Sequence, residues 1–149
     1  MSSYLTFYLV PKKSKTKYTK DEEIEIEIPQ EPLAVFSYCR SDAVYEQYYS
    51  SLHPAYAGSE DKYTEITEDD AKSIVRSFER EDLNPAKERL EILYKLFQIK
   101  YDNELANDII SLEDYIKGLE YTLSELKYIA RFIEEITYSD FEKVLINID

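Results

Sequence analysis

The chain has 149 residues and a formal net charge of −13, and 44% of its residues are hydrophobic while 33% are charged. This length and composition favour one globular domain with a sizeable core over a disordered chain. No apolar run approaches the roughly 20 residues that a membrane-spanning helix needs, and the single cysteine, Cys39, excludes an internal disulfide. We therefore expect a cytoplasmic protein that does not associate with a membrane.

Three segments of the N-terminal third show the period-two pattern of β-strands. Within residues 4–10, leucine or phenylalanine alternates with tyrosine or threonine, and residues 23–28 alternate isoleucine with glutamate. Such alternation indicates one buried and one solvated face, as in an antiparallel sheet. Residues 33–39 are apolar on both faces, which predicts a central strand. At the C-terminus, residues 143–149 return to the alternating pattern and are compatible with a fourth strand.

A lysine-rich segment, residues 11–22, is predicted to form a loop between the first two strands. Its basic residues are Lys12, Lys13, Lys15, Lys17 and Lys20. The first 20 residues thereby carry +5, whereas the remaining 129 contain 13 basic and 31 acidic residues. The lysines could keep a sheet edge soluble, dock on an acidic partner or on the chain's own acidic surface, or make weak contacts to nucleic acid.

The middle of the chain is helical by pattern. Ser41 or Asp42 can cap a helix that continues to about Leu52. Residues 53–66 are predicted to form a loop. Thr67 then begins a capping-box sequence, and the apolar residues after it recur at helical spacing.

Two long helices follow. Asn84 and Pro85 predict a helix start, with a cap and then a proline at the first helical position, and this helix continues to about Asn107. Ser111 begins a second helix that runs to about Thr137 and carries a coiled-coil-like seam of leucine and isoleucine. Because the predicted connection is short, the two helices should form an antiparallel hairpin.

Each long helix also has a second apolar stripe, which one hairpin cannot bury. The extra stripes are Ile92, Leu96 and Ile99 in the first helix, and Tyr121, Tyr128 and Phe132 in the second. These side chains must pack inside the domain or against another molecule, and the sequence leaves both alternatives open.

Residues that could support catalysis or metal binding are scarce. With only Gly58 and Gly118, the chain has no glycine-rich phosphate-binding loop, and we expect Gly118 to mark a close helix contact. His53, the only histidine, is predicted to be a loop residue, and Cys39 a buried structural thiol. The acidic segment 59–70 lacks the ligand spacing of an EF-hand. We therefore expect no catalytic residue, no cofactor and no metal ion.

The predicted fold is α+β, with a small antiparallel N-terminal sheet of three to four strands followed by four helices that end in a long antiparallel hairpin. We expect a single domain over residues 1–149. It comprises a β-rich part (1–40), a helical part (41–137) and the returning strand (143–149).

The leading functional hypothesis is a non-enzymatic, acidic module that binds another protein. Negative helices can imitate a nucleic-acid backbone and occupy the basic groove of a nuclease, polymerase or defence enzyme, with electrostatically steered association. Direct binding of nucleic acid by so acidic a body is disfavoured. A short, acidic, motif-free chain with 15 tyrosines is similar in type to many small phage or mobile-element proteins, although this likeness rests on no particular residues. It would imply an anti-defence inhibitor in a bacterial host cell.

The candidate partner-binding surface combines the five lysines with aromatic side chains of the helices. The aromatic members are Tyr45, Tyr48, Tyr49, Tyr121, Tyr128 and Phe132. The alternative is a structural protein, for example of a virion, that self-assembles through the second faces of the long helices. A third hypothesis is a hydrolase without a known motif, since any two carboxylates could converge in the fold. Salt-sensitive partner binding would favour the first, salt-resistant self-association the second, and loss of turnover on replacing carboxylates the third.

Overall fold

The computed structural model describes residues 3–11, 14–18, 23–27, 31–56, 63–136 and 141–148. Its strands are β1 (Tyr4–Pro11), β2 (Ser14–Tyr18), β3 (Glu23–Glu27), β4 (Leu33–Cys39), β5 (Thr64–Ile66) and β6 (Phe141–Ile148). Its helices are α1 (Ala43–Tyr56), α2 (Glu68–Phe78), α3 (Asn84–Ile99) and α4 (Asn103–Ile136), and a π-helical turn, Glu79–Leu83, lies between α2 and α3.

Four of the strands form an antiparallel sheet in the order β4-β1-β6-β5. The predicted α+β fold, with a small antiparallel sheet followed by helices, is therefore confirmed. The C-terminal strand predicted from its alternation is β6, which pairs with β1 from Leu5 opposite Ile148 to Pro11 opposite Phe141. From Val144 to Ile148 the alternation buries every second residue of β6 against the core, and β6 lies inside the sheet between β1 and β5.

The prediction of a central strand over residues 33–39 is wrong, because β4 is an edge strand. Phe7 pairs with Phe36 and Tyr8 with Ala34, so Val35 is an extra residue without a partner on β1. Such a bulge interrupts the inward and outward alternation of a strand and is frequent at sheet edges. Leu33 and Val35 are exposed on this edge strand.

The predicted strand over residues 23–28 also has a different place. It contains β3, which pairs with β2 in a separate two-stranded sheet and not with the four-stranded sheet. The prediction of a loop for the lysine-rich segment is wrong over β2, whose backbone is paired from Ser14 opposite Glu27 to Tyr18 opposite Glu23. The alternating sequence SKTKY carried this period-two signal.

The predicted caps of the first two helices are present. In α1 the backbone N–H of Val44 donates to Asp42 Oδ1 at 2.9 Å. In α2, Asp70 N–H donates to Thr67 Oγ1 at 3.2 Å and Thr67 N–H to Asp70 Oδ2 at 3.0 Å, which completes the capping box. The loop predicted over 53–66 is wrong at both ends, because α1 continues to Tyr56 and β5 pairs with β6.

Asn84 does not cap a new helix. The chain stays helical from α2 through the π-helical turn into α3, and Asn84 N–H donates to the carbonyl oxygen of Glu79, five residues back. Pro85 has no N–H and clashes with the carbonyl four residues before it in an α-helix. The wider π-helical turn accommodates the proline without ending the helix. The structure therefore has a local change of helical geometry where the sequence predicts a new helix.

The break between the two long helices lies earlier than predicted, at residues 100–102 and not near Ser111. Asp102 ends the connection because its Oδ1 accepts from Glu104 N–H at 2.9 Å and its carbonyl oxygen from Ala106 N–H at 3.0 Å. Ser111 lies inside α4, which has 34 residues and is about 51 Å long.

The main hydrophobic core lies between the sheet and the helices α1, α2 and the C-terminal part of α4. A second, smaller cluster joins α3 to α4 and is centred on Leu83, Ala86 and Ile116. Thus α4 belongs to two packing units. Its C-terminal part supports the sheet, and residues 103–123 form a hairpin with α3 that we call the helical arm.

Candidate interaction surfaces

The tyrosines of α1 divide between the core and the surface. Tyr48 is completely buried and Tyr45 is almost so. Their place in the candidate partner surface is corrected, because both rings belong to the main core cluster. Tyr49 is exposed and stacks on Tyr45 with ring centroids 5.9 Å apart. Of the three, only Tyr49 can contact a partner without unfolding of the helix.

The lysine candidates are only partly located. Lys12, Lys13 and Lys20 lie outside the described residues. The backbone of Lys15 and Lys17 lies in β2, in register with Ile26 and Ile24 of β3. Their role in partner binding stays a prediction.

The stripe predicted on the last helix is present on α4, but its three side chains differ in solvent exposure. Tyr121 is 68% exposed and Tyr128 is 63% exposed. Phe132 is half-buried and packs against Phe36 of the edge strand β4, with ring centroids 5.2 Å apart. The two tyrosines are therefore available to a partner, whereas Phe132 closes the core beneath them.

The residues that organise this surface are Tyr38 and Glu125, which sequence reasoning missed. The Glu125 carboxylate lies near the hydroxyl groups of both Tyr38 on β4 and Tyr121 on α4, and it contributes to a raised pKa of each. Burial, followed by the hydrogen bond to Glu125, raises the pKa of Tyr38 above its ordinary value. For Tyr121 the hydrogen bond to Glu125 is the main cause of a raised pKa. One carboxylate thus influences two aromatic side chains from different elements.

We call this region the tyrosine–glutamate surface, and its members are Tyr38, Tyr121, Glu125 and Tyr128. It lies where the edge strand β4 meets α4, and the negative charge of Asp42 adds to the potential at both Tyr38 and Tyr121. The helix beneath it has eight acidic and three basic residues. The surface therefore offers exposed rings within a negative environment. A signal existed in the sequence, because Tyr121, Glu125 and Tyr128 follow the i, i+4, i+7 spacing of one helix face.

The helical arm presents a second apolar feature. On α3, Ile92 is 58% exposed, Leu96 47% and Ile99 83%. Since the three recur at i, i+4 and i+7, they form a continuous strip, which we call the arm ridge. The arm ridge is the second stripe that the sequence predicted for the first long helix, and the structure leaves it on the surface and not in the core.

Beside the arm ridge, a groove of about 610 Å³ runs between α3 and α4, and we call it the arm groove. Its floor and walls include Arg89 and Leu93 of α3, and Asp108, Leu112 and Tyr115 of α4. Its base reaches the π-helical turn at Glu81 and Asp82. The groove combines apolar lining with three carboxylates and one guanidinium group.

Cys39 is exposed, contrary to the prediction of a buried structural thiol. It ends the edge strand β4, and its Sγ lies 3.0 Å from Ser41 Oγ. The hydrogen bond from the Ser41 side chain, with a further one from its backbone, lowers the pKa of the thiol. The prediction failed because only one face of the edge strand β4 is covered: Phe36 and Tyr38 face the core, and Cys39 lies on the opposite, uncovered face.

The described residues contain no group of three or more histidine, cysteine, aspartate or glutamate side chains placed to hold a metal ion. Within the same part of the chain, no helix has an apolar stretch long enough to cross a bilayer. Comparison of the chain with protein-family models, with curated proteins and with solved structures finds no match. The geometry of the surfaces is thus the basis for any functional conclusion.

Proposed function

We propose that the protein is a non-enzymatic binding module that attaches to a basic surface of another protein through the tyrosine–glutamate surface. The observation that carries the proposal is the pair of largely exposed rings, Tyr121 and Tyr128, on either side of the Glu125 carboxylate. Exposed tyrosines that gain nothing for the fold are costly to solubility, and tyrosine is enriched in interfaces because it brings a large contact area at low entropic cost.

Fixed geometry supports this proposal. A side chain that is already held before binding loses less conformational entropy when a partner arrives. The hydroxyl groups of Tyr38 and Tyr121 share the Glu125 carboxylate, and Phe132 and Phe36 pack beneath. The interaction with Glu125 thus favours a fixed orientation of Tyr38 and Tyr121 before a partner binds.

Charge indicates the class of partner. The whole chain has a net charge of −13, and acidic residues outnumber basic ones on α4. A positive partner surface would be attracted from a distance, and the attraction would weaken with salt. Basic grooves of this kind occur in proteins that handle nucleic acids, so the module would act by covering such a groove, as an inhibitor encoded by a phage or mobile element would do. Membrane and nucleic-acid ligands are not part of the proposal.

The test compares the wild-type protein with a variant carrying Tyr121→Ser and Tyr128→Ser. Each is immobilised and exposed to extract of the bacterial host at low and at high salt, and captured proteins are quantified by mass spectrometry. The captured protein is then purified and titrated by calorimetry. We expect a basic partner whose dissociation constant rises with salt and rises by about tenfold or more in the variant.

Two further variants show whether the effect is local. Tyr101→Ser removes an exposed ring at the connection between α3 and α4, and it should leave the affinity unchanged. Phe132→Ser should lower the stability of the fold, because this ring packs on the core. Capture that is equally strong with the double variant, or that resists high salt, would contradict the proposal.

A further inference from the structure

The two sides of the helical arm differ in chemistry. On one side, Lys87 Nζ of α3 lies 3.4 Å from Glu120 Oε1 of α4, and burial together with the nearby Glu113 carboxylate of α4 raises the pKa of Tyr94. These polar links join the two helices across a solvated side. The arm ridge and the arm groove lie on other parts of the α3 surface, where the ridge is apolar and the groove combines apolar with charged side chains.

The arm ridge runs directly along the arm groove. On a helix, residues three apart are neighbours on the surface. Arg89 and Leu93, which line the groove, are therefore adjacent to Ile92 and Leu96 of the ridge. One face of the arm thus carries a raised apolar strip and, next to it, a depression whose lining is only partly apolar.

A ridge beside a groove is complementary to its own copy. Two copies can face each other across a two-fold axis that runs parallel to the arm. This axis places the ridge of each copy opposite the groove of the other, so that each ridge can enter the facing groove. This is the isologous arrangement that closed dimers use, in which the same patch serves both partners. The packing of helix ridges into grooves is also the usual way in which helices associate.

Charge fits the same arrangement. Lys95 lies next to the arm ridge, three residues from Ile92 and four from Ile99, on the side away from the groove. Asp108 lines the groove on the α4 side, away from the ridge. When the order across the face is reversed, Lys95 of one copy comes beside the groove wall that carries Asp108 of the other.

The position along the arm agrees as well. The polar links pair residue 87 with 120 and residue 94 with 113, which fixes the antiparallel register of α3 against α4. By this register Lys95 lies opposite residue 112, so it is four residues, or about 6 Å, from Asp108 along the arm, and a lysine side chain can span that difference.

From this geometry we propose that the helical arm is a self-association surface, and that its occupant is a second copy of this chain with the arm ridge of each copy in the arm groove of the other. This inference is independent of the proposed binding of a basic partner, because the tyrosine–glutamate surface contributes none of the ridge and groove residues.

The test is sedimentation equilibrium of the purified full-length protein at several concentrations. We expect a monomer–dimer equilibrium for the wild type. Leu96→Gln, which keeps helix propensity but removes an apolar ridge residue, should weaken dimerisation by about tenfold or more. Tyr128→Ser, which removes an exposed ring outside the arm face, should leave the dimerisation constant unchanged.

A charge exchange distinguishes this dimer from non-specific association. Lys95→Glu alone and Asp108→Lys alone should each weaken the dimer, and the double variant should recover affinity because the pair is restored with reversed signs. Circular dichroism confirms that each variant is folded. A wild type that stays monomeric at every concentration, a dimer that Leu96→Gln leaves intact, or a double variant no stronger than the weaker single variant would overturn the proposal.

Discussion

At Tyr48, the fold buries a hydroxyl group in the main core. The ring fills the centre of the core between β1 and α1, with its centroid 5.4 Å from that of Phe7. Its hydroxyl group has no hydrogen-bond partner among the described residues. A buried hydroxyl group that is removed from water and left unpaired costs about 1–3 kcal/mol.

Tyr48→Phe should therefore raise the free energy of unfolding by about 1–2 kcal/mol, because it removes the desolvated hydroxyl group and keeps the ring. Urea unfolding followed by circular dichroism measures the change. Tyr128→Phe is the matched control, since that hydroxyl group is on an exposed residue, and it should have little effect. If Tyr48→Phe instead lowers stability, the hydroxyl group has a partner that matters to the fold.

Cys39 shows how one neighbour can set the reactivity of a surface thiol. The thiolate is the reacting form, so a lower pKa places more of it at neutral pH. The largest contribution to the lowered pKa comes from the Ser41 hydroxyl group. Ser41→Ala should therefore raise the pKa of the thiol, and the alkylation rate at neutral pH should fall.

The pH profile of alkylation by iodoacetamide, followed by intact-mass spectrometry, measures this effect. The midpoint of the profile should move to higher pH in Ser41→Ala. Ser37→Ala, at another exposed position of the same strand, should leave the profile in place. An unchanged midpoint in Ser41→Ala would show that the backbone donor alone controls the thiol.

At the scale of elements, Gly118 in α4 has an unexpected environment. The prediction of a close helix contact is wrong, because a β-carbon added at Gly118 would have no atom within 4 Å. Glycine in a helix interior costs about 1 kcal/mol relative to alanine, chiefly through the entropy of the unfolded chain. The structure offers no packing that offsets this cost.

Gly118→Ala should thus stabilise the protein by about 1 kcal/mol, and thermal unfolding measures the shift. Lys117→Ala, at the neighbouring exposed position, should change stability by no more than about 0.5 kcal/mol. A destabilised Gly118→Ala variant would indicate that a second molecule approaches the helix backbone at this point.

Elements with local determinants could be predicted from the sequence. The side chains of Thr67 and Asp70 each accept a hydrogen bond from the other's backbone N–H. Because these residues are only three apart in the chain, the sequence predicts the start of α2. The alternation of β6 likewise identified a strand. Its position in the sheet was not readable, because the pairing of Thr64 with Ile146 joins residues far apart in the chain.

The misplaced boundaries have specific causes. Pro85 predicts a helix start because a proline inside an α-helix clashes with the carbonyl group four residues before it. The π-helical turn that precedes Pro85 removes this clash, so the helix continues. Asp102 was overlooked because a single side-chain cap separates two stretches that both favour helix. The spacing of Tyr121 and Tyr128 predicted that both lie on one face of the last helix, as the structure shows. The contribution of Tyr38 to the tyrosine–glutamate surface depends on the position of β4 beside α4, which the sequence does not reveal.

In the molecule as a whole, α4 connects two surfaces that differ in chemistry. Its C-terminal part packs in the main core and carries Tyr128, and its N-terminal part forms the arm with α3. On α4, Tyr121 and the groove-lining Tyr115 are six residues apart and lie on different sides of the helix, at about 100° per residue. A molecule that occupies one of these sides leaves the other accessible.

The length of α4 therefore has a consequence for valency. Two chains joined by their arms would carry two tyrosine–glutamate surfaces, held apart by rigid helix and not by a flexible linker. Once one surface has bound, the other is confined near the same target, and its effective concentration depends on the spacing of sites on that target. Such a dimer would hold an oligomeric or repetitive target far more tightly than a single-site one, so the geometry of the target would select it as much as its charge.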